Sequence, residues 1–242
     1  MPHPDIVPVL DADPELGEQL AAEELQAARR ALSARTIVVA GGAWRPADRW
    51  SEDDHPALGL LVVEGLVTRE TTVAGRPSTE LLGGGDLLRP WDQDADLGIV
   101  PVSVRWRVAA PLRLAVLDQR FLQAAARWPA VLDALAGRAL RRTRWLAFQL
   151  SMRQITRVEG RLLVLFWALS ERWGVVTPRG VHLRLRLTHE ALGRLVGARR
   201  PSVTTALGAL AEAGALERTP EGYRLLGDCD EAIERVLGRQ AA

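Results

Sequence analysis

The sequence predicts an α+β chain: a front domain built as a small antiparallel barrel of the jelly-roll kind, a long helix, and a helix-turn-helix closed by a β-hairpin wing. Three observations predict it. Residues 187–227, LTHEALGRLVGARRPSVTTALGALAEAGALERTPEGYRLLG, carry two short amphipathic helices around a glycine and then a hairpin pattern. The first half holds many short β-branched runs punctuated by Gly, Pro and Asp, which is how closely spaced strands read. Between the two, from Pro129 to about Ile155, apolar residues recur at threes, fours and sevens, the spacing of a helix with a seam.

The C-terminal string is the most informative. Thr188 is placed to cap a helix, with Glu190 early in it to suit the dipole. Leu192, Leu195 and Val196 share one face, and Gly193 is small enough for a second helix to cross closely. Gly197 supplies the left-handed residue of a tight turn. Pro201 falls in the first turn of the second helix, where no amide donor is needed. That helix runs from about Arg200 to Ala213. Val203, Ala206, Leu207 and Leu210 form its buried stripe, leaving Arg199, Arg200, Pro201, Ser202, Thr204 and Thr205 outside. Leu216 to Arg218 and Tyr223 to Leu226, joined by Thr219-Pro220-Glu221-Gly222, make the wing.

Composition bounds the function. The 242 residues suit two domains, and 48% apolar content suffices for two cores. The net charge of +1 hides a division: residues 1–120 hold 12 Arg against 19 acidic residues, and residues 121–242 hold 19 against 11, giving −7 and +8. There is no lysine, so every positive side chain is a guanidinium, which forks onto phosphate and stays charged. A basic C-terminal half suits a polyanion. The lone Cys229 excludes an internal disulfide, an iron–sulfur cluster and a Cys-rich zinc site. The four His are dispersed, without ligand-like spacing, which counts against a metal-dependent barrel enzyme. No leader pattern or bilayer-length apolar run occurs, so a cytoplasmic protein without membrane contact, metal or cofactor is expected.

In chain order, a Pro-rich leader precedes a helix expected over Asp13 to Leu32, with Leu16, Leu20, Ala27 and Ala31 on its buried side. Strands are expected at Thr36–Ala40, Leu58–Val63, Leu66–Thr72, Thr79–Leu82, Leu97–Val100, Val102–Val108 and Leu112–Leu117, with turns at Glu64-Gly65, Gly75 and Gly83-Gly84-Gly85. Trp44, Trp50, Trp91 and Trp106 either line a pocket for an aromatic ligand or pack the core; core packing is the reading adopted. Leu132, Leu135, Ala139, Leu146 and Leu150 are the expected dimerisation residues, with Arg138, Arg141, Arg142 and Arg144 off the seam. A first helix of the last domain is expected over Val158–Arg172, then a hairpin of Val175-Val176 and Val181–Leu185. The expected domains are 1–127, the helix 128–156, and 157–242.

Leu187-Thr188, Leu192-Gly193, Leu195-Val196-Gly197, Arg200 and the Ser202-Val203-Thr204 register resemble the C-terminal domain of the cyclic-AMP-receptor and fumarate-nitrate-regulator (Crp/Fnr) transcription factors. The front turns resemble that family's cyclic-nucleotide-binding barrel. The resemblance implies a non-enzymatic homodimer on an inverted-repeat, double-stranded operator, with RNA polymerase as a further partner and an unknown effector. It places base reading on Arg200, Pro201, Thr204 and Thr205, and phosphate contact on Thr188, Arg199 and Ser202. Where nucleotide-binding members follow Gly-Asp with Gly-Glu and later Arg-Ser, this chain has Gly85-Asp86, then Arg89-Pro90, then Val102-Ser103. The pocket is thus expected to be degenerate and unresponsive to cyclic AMP. The alternative is a cyclic-nucleotide sensor using Arg89 or Arg105 as substitute cations.

Overall fold

The computed structural model describes residues 5–50, 55–91 and 100–238. It forms two compact units, Met1–Arg144 and Trp145–Ala242.

The first unit opens with β1 (Ile6–Pro8), α1 (Val9–Ala12), a 3-10 turn (Pro14–Gly17) and α2 (Ala22–Ala31). The single helix expected over Asp13 to Leu32 is therefore broken. Pro14 has no amide hydrogen to return to a preceding turn, so α1 stops before it and helix resumes only at Ala22. The later start rotates the apolar stripe by one residue. Ala27 and Ala31 are exposed, whereas Ala28 and Leu32 are fully buried.

Next come β2 (Ser33–Val39), β3 (Gly42–Trp44), a 3-10 turn (Pro46–Asp48), β4 (Gly59–Val73), β5 (Arg76–Gly83), β6 (Leu87–Leu88) and β7 (Val102–Leu117). They form one antiparallel sheet in the order β1-β2-β7-β4-β5, with β3 on β7 and β6 on β4. Two pairs of expected strands are single long ones. β4 runs through Glu64-Gly65 without turning, because its ladder with β7 absorbs these residues as bulges between Val62 and Val67. Gly65 has φ +96°, and a Cβ there would lie 2.1 Å from the Pro111 carbonyl oxygen, so the bulge requires glycine. The strand expected at Leu97–Val100 falls outside the described residues except for Val100.

The sheet is buried on both faces along its middle, and period-two alternation assigns the residues. Leu60, Val62, Leu114 and Val116 face a core that includes Trp44, Trp50, Trp106 and Leu82. Leu61, Ala115 and Leu117 face a second core of Leu10, Leu16, Leu32, Phe121 and Val131. This is why ALGLLVV and LRLAVL read as nearly unbroken apolar runs. Trp44, Trp50 and Trp106 are at most 9% exposed, with Trp44 edge-on to Trp106 at 5.6 Å. These three indoles pack the barrel interior.

After α3 (Gln119–Ala125), α4 (Pro129–Met152) carries two parallel rows at heptad spacing. Val131 and Leu135 face the second core, and the same row continues into Arg138 and Arg142. Leu135, expected on a dimer seam, is thus buried in its own unit at 3% exposure. The other row is Leu132, Ala136, Ala139, Thr143, Leu146 and Leu150. Its last two leucines are 39% and 68% exposed. Arg138 donates to Asp13 at 2.6 Å and to Glu15 at 2.7 Å, and Arg142 forks onto Glu80 with two bonds of 2.8 Å. Burial raises the Asp13 carboxyl despite the counter-pull of Arg138, while hydrogen bonding from Arg138 lowers Glu15.

The second unit holds the end of α4, then α5 (Val158–Trp173), β8 (Gly174–Thr177), β9 (Gly180–Leu183), α6 (His189–Val196), α7 (Arg200–Glu212), β10 (Leu216–Thr219), β11 (Gly222–Leu225) and α8 (Cys229–Leu237). The wing is half of a four-stranded sheet ordered β10-β11-β9-β8, so the earlier hairpin braces it. Leu162, Leu165, Phe166 and Leu169 of α5 are buried as expected, with Phe166 4.6 Å from the Tyr223 ring.

Candidate nucleic-acid interface

The exposed N-terminal end of α7 is held in place by three devices. Thr188 caps α6, its hydroxyl accepting from the Ala191 amide at 3.1 Å, a bond of about 1 kcal/mol. Gly197 ends α6 at φ +66°, and Ala198 donates back to the Gly193 carbonyl at 2.8 Å. A Cβ on Gly193 would lie 2.5 Å from the Ala198 oxygen, so the small residue sets how tightly the turn folds. The third device is one the sequence did not announce. Arg161, on α5, donates to the Val196 carbonyl at 2.8 Å and, at 3.4 Å, to that of Gly197. It satisfies the last carbonyls of α6 and favours the negative end of its dipole. The only signal for it was a cation among the apolar residues of α5.

On this frame α7 buries Val203, Ala206 and Leu210. Arg199, Arg200, Pro201, Ser202, Thr204 and Thr205 are all exposed. Seven residues assigned to DNA contact thus fall on the N-caps of α6 and α7 and the first two turns of α7. Arg199 stands at the N-cap without a side-chain cap bond and Pro201 lies in the first turn. Among the described residues neither Arg199 nor Arg200 has an acidic partner, so two guanidiniums and the free amides of a helix N-terminus present one positive surface.

The two threonines are more constrained than their spacing suggested. Thr204 Oγ1 donates to the Arg200 carbonyl at 3.1 Å and Thr205 Oγ1 to that of Pro201 at 3.3 Å. His189 Nδ1 lies 2.9 Å from Thr204 Oγ1. With the threonine proton given to Arg200, the imidazole donates through Nδ1 and turns Nε2 outward. Thr204 and Thr205 therefore offer methyl groups and lone pairs, not donors. His189 ties α6 to α7 across the turn, a contact between residues 15 apart that no local pattern announces.

The front-domain set does not converge. Asp86 accepts from the Gly83 amide at 2.8 Å, so its carboxylate closes the turn. Gly85, at φ +81°, packs near Arg138 and Asp13. Arg89 donates to the Ala57 carbonyl at 2.9 Å and lies over Trp91, and Pro90 is buried. Val102 and Ser103 pair with Val73 and Thr72 at the far end of β7. Gly85 instead bonds Val62, whose ladder partner is Leu114. From Leu114 to Ser103 is roughly 35 Å of strand at about 3.3 Å per residue. Placing Val102-Ser103 at a phosphate site is therefore corrected, since a long strand carries them away from the glycine turn. Arg105, the other substitute cation, is 72% exposed and paired with Glu70 at 3.0 Å.

Among the described residues there is no cluster of His, Cys, Asp and Glu able to hold a metal ion, and no helix is long and apolar enough to cross a membrane. Residues 156–227 match the Crp-like helix-turn-helix domain model. No curated protein sequence matches the chain. Solved structures share its fold. FixK2 of Bradyrhizobium japonicum superposes with TM-score 0.60 at 16% identity, over 86% of this chain and 99% of its own. A cyclic nucleotide-binding domain containing protein of Listeria monocytogenes gives 0.63 at 16%, over 82% and 90%. The c-di-GMP responsive global regulator CLP of Xanthomonas campestris gives 0.54 at 19%, over 81% and 95%.

Proposed function

From a chain with the fold of the Crp/Fnr regulators, whose residues 156–227 are a Crp-like helix-turn-helix domain, we propose a homodimeric transcription regulator that reads an inverted-repeat operator and is not switched by cyclic AMP. DNA binding and regulation follow from the domain. The observation that carries it is the exposed first turn of α7, with Arg199 and Arg200 unpaired among the described residues beside the capped start of α6.

Arg200 reads a guanine edge, where its fork matches O6 and N7. Arg199, Ser202 and Thr188 contact phosphates and fix register without reading sequence. Pro201, Thr204 and Thr205 touch bases through ring and methyl surfaces, because both threonine protons are spent on helix carbonyls. Half-sites lie about one helical turn, roughly 10 base pairs, apart in a two-fold dimer. Dimerisation uses the outer row of α4: Leu132, Ala139, Leu146 and Leu150. RNA polymerase is the further partner that activation would require.

The test is binding-site selection followed by affinity against salt. Arg200→Ala is expected to cost about 1–3 kcal/mol on the selected operator and to flatten preference at one base pair per half-site. Arg199→Ala is expected to weaken all sequences alike and to lower the salt slope by about one. An unchanged consensus with Arg200→Ala would remove α7 from the groove.

A further inference from the structure

His189 opens α6 directly after the capping Thr188 and is half-buried. Its Nδ1 lies 2.9 Å from Thr204 Oγ1 of α7. The Thr204 hydroxyl has one proton and gives it to the Arg200 carbonyl at 3.1 Å, so toward the ring this oxygen only accepts. Nδ1 therefore carries a hydrogen in either charge state of the ring. A neutral imidazole holds one such hydrogen, which leaves Nε2 as a bare lone pair. A histidine with both nitrogens free can shift its proton and donate to an anion while uncharged; His189 cannot. Its outer nitrogen donates only after the ring has taken a second proton, and with it a positive charge. No acid on the surrounding elements is available to hold that proton. On α6, Glu190 is paired with Arg194 at 2.6 Å. On α7, Arg199 and Arg200 open the helix and Glu212 closes its far end. On α5, Arg161 is spent on the Val196 and Gly197 carbonyls, Glu159 is paired with Arg157, and Glu171 lies near Cys229. Ahead of α6, Arg186 is a further exposed cation.

Resting on the reading that the N-terminal ends of α6 and α7 face DNA, we propose that DNA binding takes up a proton at His189, whose imidazolium then donates through Nε2 to a backbone phosphate. The phosphate is the acid that the protein itself does not supply, and it favours the charged ring. The tie to Thr204 is what makes the contact conditional. It removes the uncharged donor form, so affinity follows the charge on the ring. The DNA-bound state holds the extra proton, and linkage therefore strengthens binding as pH falls and weakens it as pH rises. A phosphate contact fixes register and reads no sequence, so the effect belongs to any duplex. His182, the other histidine of this unit, bonds Thr219 within the wing sheet and stands on neither helix.

The experiment uses the full-length protein with two duplexes, one of random sequence and one from binding-site selection. Affinity is followed by anisotropy at fixed ionic strength, and calorimetry in buffers of different ionisation heat counts the protons taken up. From about pH 8 to about pH 6 the parent is expected to tighten on both duplexes by about tenfold or more. His189→Asn keeps an amide N–H in the place of Nδ1 but has nothing to titrate, and is expected to lose most of that change. Thr204→Val frees the ring to donate from Nε2 while neutral, so its pH dependence is expected to be shallower than the parent's, whatever its affinity. The proposal is overturned if the parent and His189→Asn change alike with pH, if no proton is taken up, or if Thr204→Val keeps the parent's full slope. His189→Gln, an uncharged donor reaching toward the place of Nε2, makes the same comparison where His189→Asn does not fold; failure of both to fold would show His189 to be structural and overturn the proposal equally. A consensus altered by Arg200→Ala beside a pH-independent affinity overturns this proposal alone, whereas a protein that binds neither duplex overturns the DNA reading with it.

Discussion

Replacing Arg138 by Met tests whether α4 is held to the front domain by charge. The guanidinium is 4% exposed and the Asp13 carboxylate 9%, at 2.6 Å. Removing one partner of such a pair strands the other in a place that water does not reach, at about 3–5 kcal/mol. For a domain of this size that corresponds to a melting temperature lower by about 10 °C. Glu15 keeps Arg141 as a partner at 3.2 Å, so the loss falls on Asp13. The companion Arg138→Met/Asp13→Leu removes both charges and keeps apolar volume, and is expected to recover more than half of the loss. The sign with pH is fixed by Asp13, whose carboxyl is already raised above 3.8 by burial and rises further once Arg138 is gone. The stranded charge thus destabilises fully above the raised folded pKa. Its cost fades as pH falls through that value toward 3.8, where both states hold the proton. Urea unfolding followed by the fluorescence of the barrel tryptophans measures each variant. A double variant as unstable as the single one would show that Arg138 acts through packing and refute the reasoning.

Three further outcomes are expected. Glu at both Leu146 and Leu150, which are 39% and 68% exposed on the outer row of α4, should convert a dimer to monomers in sedimentation; an unchanged dimer would move the interface elsewhere. Cyclic AMP should give no binding heat at micromolar concentration, because Asp86 closes its own turn and Val102-Ser103 lie far along β7; a micromolar dissociation constant would contradict this. The Cys229 thiol, raised above 9.0 by burial and by the nearby Asp230, Asp228 and Glu171, should react with a disulfide reagent more slowly at pH 8 than a free thiol does and should speed up as pH rises; parity with free cysteine would contradict the shift.

The second unit was legible because its signals are local: a Thr cap, a left-handed Gly197, a Pro201 start and apolar residues at three and four. The front unit was legible in class but not in register. Gly65 looks like a turn when only neighbours in sequence are considered, and only the approach of Pro111 from β7 reveals a bulge in a continuous strand. Leu135 misled for a related reason. Heptad spacing marks any helix row that packs against something, and α4 has two such rows. The barrel-facing one continues into Arg138 and Arg142, residues expected only to lie off the seam, while their acidic partners Asp13 and Glu80 are at least 62 residues away in sequence. Arg161 and His189 escaped notice because their roles lie in contacts across elements.

The sheet between the two front-domain cores behaves as a diaphragm. Leu60 and Val62 press on the tryptophan side while Leu61 presses on the side where Val131 and Leu135 of α4 sit. Close-packed interiors compress little. A change of volume among the indoles must therefore push the strands as a wall, and the first turns of α4 lie against the other side of that wall. Displacement among the indoles would then reach the first turns of α4 through packing, and the Arg142–Glu80 pair ties the same helix to β5 by hydrogen bonds.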